Sequence, residues 1–99
     1  DLEDTIRRLQ AFERAGADVV FAPGLPDLAA VREVCQAVSI PVNFMVGIPG
    51  KSFSLAELQE VGVRRVSFAT SLYNAAMKAA RAAALEICEH GTFTYLSGG

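Results

Sequence analysis

Residues 15–24 read Ala15-Gly16-Ala17-Asp18-Val19-Val20-Phe21-Ala22-Pro23-Gly24, and the reading of this stretch decides the fold class. Ahead of it, Leu2, Ile6, Leu9 and Phe12 recur at helical spacing, which predicts a helix over residues 1–15. Gly16 stops that helix, because glycine accepts the left-handed backbone that a helix end requires. From Ala17 to Ala22 the chain is apolar except for Asp18, and Pro23 and Gly24 close the run. A short continuous apolar run between breakers is how a fully buried parallel strand reads.

The same grammar continues downstream. Asp27 is placed to cap a helix carrying Leu28, Val31, Val34, Cys35 and Val38, and Pro41 ends it by disfavouring helical geometry in the residue before it. Val42-Asn43-Phe44-Met45-Val46 is a second strand, interrupted in polarity by Asn43. Gly47–Ser52 is a loop, and Ser54-Leu55-Ala56-Glu57 has the form of a capping box opening a short helix that stops at Gly62. Arg65–Ala69 is a third strand. Thr70 or Ser71 caps a long alanine-rich helix through about His90, Gly91 stops it, and Thr92–Gly99 reads as a turn-like tail.

Strictly alternating elements imply parallel strands joined by right-handed crossovers. Gly16 and Gly62 occupy equivalent helix-to-strand junctions 46 residues apart and two units apart, a spacing at the compact end for a (β/α)₈ barrel. Three strands alone leave two raw sheet edges. The expected fold is therefore α/β, the C-terminal part of a (β/α)₈ TIM-type barrel, with residues 1–99 as a portion of that single domain. About five further βα units are expected ahead of Asp1, where the chain opens inside a helical pattern. A truncated doubly wound sheet is the alternative.

Composition bounds the partners. The chain is 52% hydrophobic and 20% charged, with a formal net charge of -2, so it is not a disordered segment. Its basic residues are scattered, which argues against nucleic acid and anionic membranes as partners. Nothing resembles a signal peptide or a membrane-spanning run, and the expected compartment is the cytoplasm. Cys35 and Cys88 each fall on an apolar helix face, as small buried hydrophobes in a reducing compartment do.

In either fold, ligands bind where strands end and βα loops begin, so the candidates are residues 22–25, 43–54 and 67–71. Asn43 stands out, since a buried amide must find partners and a carboxamide facing a barrel interior can bind a carboxylate or carbonyl. Ser67 is the corresponding hydroxyl in the third strand. Gly50-Lys51-Ser52 follows a strand, but the residue five before Gly50 is Met45, so the phosphate-loop spacing fails. Lys51, Ser52 and nearby backbone amides could still hold an anion. His90 sits where an imidazolium complements a helix C-terminus. The acidic residues lie on or beside helices or, as Asp18 does, at a strand's start; no metal site is expected within this chain.

The runs Ala15–Leu25, Pro41-Val42-Asn43, Ser54–Leu58 and Gly62–Ser67 together resemble the last part of enzymes of the isocitrate lyase / phosphoenolpyruvate mutase superfamily, which includes 2-methylisocitrate lyase and oxaloacetate decarboxylase. The resemblance implies that the three strands are the sixth, seventh and eighth of a barrel. It also implies that Leu72–His90 is a barrel helix packing on a partner subunit, in a homo-oligomer (dimer or tetramer). Mg²⁺ is implied as cofactor, with its ligands upstream of this chain. Asn43, Ser67 and Gly47 are the expected substrate-binding residues, and the catalytic residues are expected outside the chain. Ala22 stands where many members carry glutamate.

The expected function follows: part of a Mg²⁺-dependent lyase or mutase that makes or breaks a C–C or P–C bond in a small 2-oxo or 2-hydroxy carboxylic acid through an enolate. This fragment alone is expected to be inactive. The alternatives are another barrel enzyme binding a phosphorylated substrate, or a non-catalytic, self-associating barrel fragment.

Overall fold

The computed structural model of the chain describes residues 1–97, so the last two positions of the expected tail, Gly98 and Gly99, lie outside the described residues. The element order is α1 Leu2–Arg14, β1 Val20–Phe21, α2 Leu28–Ala37, β2 Val42–Met45, α3 Leu55–Val61, β3 Arg65–Ser67 and α4 Ser71–His90, followed by a 3₁₀ turn, Thr94–Ser97. The helix–strand alternation expected from the sequence is present. The chain divides into two units, Asp1–Ala69 and a second that begins at Thr70.

In the first unit the strands are parallel and ordered β1-β2-β3. Each crossover steps to the next strand in the same direction, and right-handed crossovers that keep one direction put every helix on one face. Accordingly α1 packs on β1 and α2, and α2 packs on α3. The winding does not reverse among the described residues, as in a (β/α) barrel and in either half of a doubly wound sheet. Val20, Val42 and Phe44 are buried in one core with Leu9, Val31, Val34 and Leu58. Burial of a Val or Leu side chain contributes roughly 1.5–3 kcal/mol, and Val31, Val34 and Leu58 are at most 1% exposed.

Local signals explain the helix ends. Asp27 accepts from the Ala30 N–H at 2.8 Å. The capping box is complete: the Glu57 N–H donates to Ser54 Oγ at 3.1 Å, and the Ser54 N–H donates to the Glu57 carboxylate at 2.9 Å. Gly62 ends α3 at φ 109°, a backbone strained for any other residue, and an alanine Cβ there would stand 3.0 Å from Cys35 Cβ, so helix α2 would have to give by a few tenths of an ångström.

Five expectations need correction. The second strand ends at Met45 rather than Val46. The first strand is Val20–Phe21 rather than residues 17–22, because only these two residues have register partners on β2. The third strand ends at Ser67 rather than Ala69, since Ala69 turns into the left-handed region at φ 47° and cannot extend a ladder. Thr70 occupies the N-cap of α4 without a side-chain bond to the helix backbone; its hydroxyl accepts instead from the Asn74 side chain at 3.3 Å. Cys88 is exposed, not buried, and Cys35 is half-buried, with burial pushing its thiol pKa up.

In the second unit the tail is pinned rather than loosely turned. The Glu86 carboxylate accepts from the Thr92 and Thr94 hydroxyls and from the Thr94 and Tyr95 amides. The Thr92 hydroxyl first, then the Thr94 amide, hold its carboxyl below the ordinary glutamate range.

A lateral tie joins α1 to the turn before β2. The Glu13 carboxylate accepts from the Ser39 hydroxyl and, at 3.0 Å, from the Ser39 N–H. The Ser39 hydroxyl, then its amide, depress the Glu13 pKa. A depressed folded-state pKa means stability that is fully present above the unfolded-state value and lost as pH falls through the folded one. Urea midpoints recorded from pH 6 down to pH 3 should therefore fall less steeply for Glu13→Gln than for the unaltered protein. Parallel curves would show that this tie contributes nothing.

Candidate functional site

Side chains of successive strand residues point to opposite faces. Since Val20, Val42 and Phe44 join the helix-covered core, Phe21, Asn43, Met45, Arg65 and Ser67 belong to the other face, which no helix of the first unit covers. Register aligns them: Phe21 with Asn43, Asn43 with Arg65, and Met45 with Ser67. Phe21 is 43% exposed, whereas Asn43, on the central strand, is 6% exposed.

The burial of Asn43 is matched by hydrogen bonds. Its Nδ2 donates to Ser67 Oγ at 2.9 Å, and its Oδ1 accepts from Arg65 Nη1 at 2.9 Å. No buried side-chain nitrogen or oxygen among the described residues lacks a partner. The two expected residues Asn43 and Ser67 are thus brought together, one bond apart. Arg65 is the member of the group that sequence reasoning missed. The signal was available in the spacing, because Arg65 stands two positions before Ser67 and so shares its face.

Gly47, the third expected site residue, is placed differently. Its N–H donates to Ser52 Oγ at 3.1 Å, and the Ser52 hydroxyl donates to the Ile48 carbonyl at 3.0 Å. Pro49 and Gly50 occupy the centre of a tight turn closed by Lys51 N–H to Ile48 O at 3.0 Å, with Gly50 at φ 77°, the positive φ that such a turn demands at its second central position. The Gly47 amide and the Ser52 hydroxyl therefore close the loop on itself, and Lys51 is exposed. This geometry does not form an anion cradle.

Residues 22–25 line an open cavity of about 560 Å³ beside α1 and β1, together with Leu9, Phe12 and Phe21. It lies apart from Asn43 and Ser67, which do not line it. Among the described residues no three His, Cys, Asp or Glu side chains converge as a metal site, and none of those residue types is on the face that carries Asn43.

A parallel βα array wound in one direction fits a (β/α)-barrel-like α/β architecture. Comparison with known proteins is more specific. The family model for phosphoenolpyruvate phosphomutase matches residues 1–88, and the chain belongs to that family. It is similar to 2-methylisocitrate lyase of Aeropyrum pernix, with 30% identity over 92 residues, covering 91% of this chain and 30% of that protein. It is also similar to oxaloacetate decarboxylase of Paraburkholderia xenovorans, with 32% identity over 78 residues, covering 79% of this chain and 26% of that protein. A solved structure from Burkholderia cenocepacia J2315, whose lyase/mutase designation is provisional, superposes with a TM-score of 0.92 and 45% identity, covering 100% of this chain and 36% of its own. The chain thus spans about a third of the length of these relatives.

Removing Ser67 would leave the buried Asn43 side-chain nitrogen without its partner, and an unpaired buried polar group costs about 1–3 kcal/mol, whereas removing Asn43 orphans only the exposed Arg65 and the half-buried Ser67. Urea denaturation should place Ser67→Ala in that range below the unaltered protein and Asn43→Ala closer to it. The double variant should be less destabilised than the sum of the two singles, because both remove one bond. Strict additivity would show that the Asn43–Ser67 bond carries no stability.

Proposed function

We propose that the chain supplies the sixth, seventh and eighth strands of a (β/α)₈ lyase or mutase, with residues 1–99 as the C-terminal portion of that one domain. The full protein makes or breaks a C–C or P–C bond in a small 2-oxo or 2-hydroxy carboxylic acid through an enolate. Asn43 and Ser67 contact the carboxylate or carbonyl oxygens of that acid. The observation that carries this reading is the bonded Asn43–Ser67 pair on adjacent strands, on the sheet face not covered by the helices of the first unit, in a chain belonging to this family. The substrates named for the relatives, 2-methylisocitrate and oxaloacetate, are of the proposed class. Gly47 contributes backbone to the same pocket wall without its amide, which the loop uses.

Mg²⁺ is part of the proposal for the full protein, but the residues described here do not fit it: the helix-free face carries no carboxylate. Its ligands and the catalytic residues belong to segments outside this chain, and the 99-residue piece alone is inactive. In water-excluded surroundings, donors placed at a developing negative charge are worth far more than in bulk solvent. Asn43 and Ser67 are sited for that role. The protein acts in the cytoplasm; among the described residues no helix is long and apolar enough to cross a membrane.

Oxaloacetate, 2-methylisocitrate and phosphonopyruvate offered with Mg²⁺ to the full-length protein test the reading. At least one should turn over, and Asn43→Ala or Ser67→Ala should lower kcat/KM by about 10- to 100-fold, the loss of one or two substrate hydrogen bonds. No turnover of any of the three would end it.

We also propose self-association through Leu72–His90. This reading rests on α4 having no buried residue in the single chain while Leu72, Tyr73, Met77, Leu85 and Ile87 are each at least 40% exposed. Light scattering should find a dimer or tetramer of the full protein, and Met77→Glu with Leu85→Glu should dissociate it. A monomer at micromolar concentration before substitution would contradict the proposal.

A further inference from the structure

We infer that Arg65 is a positioning residue: it dictates which way the Asn43 carboxamide faces, and thereby turns two donors, an Asn43 N–H and the Ser67 O–H, toward an acceptor-only ligand group such as a carboxylate. The inference deepens the reading of Asn43 and Ser67 as substrate contacts and rests on it.

A carboxamide is close to symmetric in shape, and its two ends exchange by a half-turn. What breaks the symmetry is the neighbour. A guanidinium has five N–H donors and no acceptor. With Arg65 Nη1 2.9 Å from the Asn43 side-chain oxygen, the opposite rotamer would set NH₂ against N–H, with no hydrogen bond and two positive dipoles in contact. Arg65 forms no ion pair with a carboxylate among the described residues, so no anion draws it from Asn43.

The consequence passes along the chain of bonds. With Oδ1 committed to Arg65, the NH₂ end must face Ser67, 2.9 Å away. An amide nitrogen cannot accept, so the Ser67 oxygen is the acceptor and its own O–H is turned elsewhere. Among the described residues that O–H has no protein acceptor. The amide uses one of its two hydrogens on Ser67. One N–H of Asn43 and the O–H of Ser67 therefore remain as donors without a protein acceptor, whereas the Asn43 and Ser67 oxygens each already accept one bond. A ligand group with lone pairs only satisfies both; one that presents N–H leaves donors opposed, the kind of mismatch that polar sites reject most strongly.

Oxalate and its isosteric diamide, oxamide, probe this directly in the full-length protein. Calorimetry should show oxalate bound at least about tenfold more tightly than oxamide. Arg65→Gln, which can accept as well as donate, should reduce that ratio by about tenfold, while Arg65→Lys, still donor-only, should keep it. With ¹⁵N-asparagine labelling and no ligand, the Asn43 NH₂ resonance should move on Ser67→Ala in the Arg65 protein and should not move in the Arg65→Gln background. Asn43→Asp carries the same test should Arg65→Gln fail to fold: aspartate still accepts from Arg65 but offers no N–H, so oxalate binding should fall by at least about tenfold. An Arg65→Gln protein that keeps the ratio and the Ser67-dependent resonance, or an Asn43→Asp protein that keeps oxalate binding, would overturn the inference. If neither probe binds the unaltered protein while the resonance responds as described, the substrate-contact reading falls and the orienting role of Arg65 stands alone.

Discussion

Handedness is the constraint from which the rest of the first unit follows. A right-handed crossover that always steps in the same direction lays its helices on one side of the sheet, and the order β1-β2-β3 takes two such steps. The apolar side chains of Val20, Val42 and Phe44 then share one buried layer with Val31, Val34 and Leu58. The opposite face is left without helical cover. A polar side chain can stand there only by pairing with other strand residues or with something bound, and that is where Asn43, Arg65 and Ser67 meet.

The bonded trio ties the central strand to its neighbour by side chains as well as by backbone. The backbone ladder itself needs no particular residue types. The Arg65–Asn43–Ser67 chain does, because each of its bonds needs a side-chain donor facing a side-chain acceptor. Register makes it possible: Asn43 lies level with Arg65, and Ser67 stands one same-face step further along β3. A slip of one residue would turn every side chain of β3 to the opposite face.

The helix-capping residues were legible in the sequence because their signals are local. Asp27 and the Ser54–Glu57 box bond backbone groups three residues away, so their spacing alone specifies the bond. Thr70 shows the limit: a hydroxyl at a cap position can serve a nearby side chain instead. Glu86 shows another, since a carboxylate on a helix gave no hint that it would gather hydroxyls and amides from residues 92–95. Cys88 reads as a core residue from periodicity, yet no residue of α4 is buried in the single chain.

By itself the sequence determined the alternation of elements, the parallel sheet, the helix boundaries to within a residue or two, and the prominence of Asn43 and Ser67. These depend on periodicity, breakers and the cost of a buried amide, all of which act within a few residues. Only the tertiary structure decided that the two polar residues bond each other, that Arg65 completes the group, and that the Gly47 amide is spent within its own loop. Those outcomes depend on strand register and on the face each side chain takes. Register is a relation between segments about twenty residues apart, set by how the helices pack, and no short window of sequence contains it.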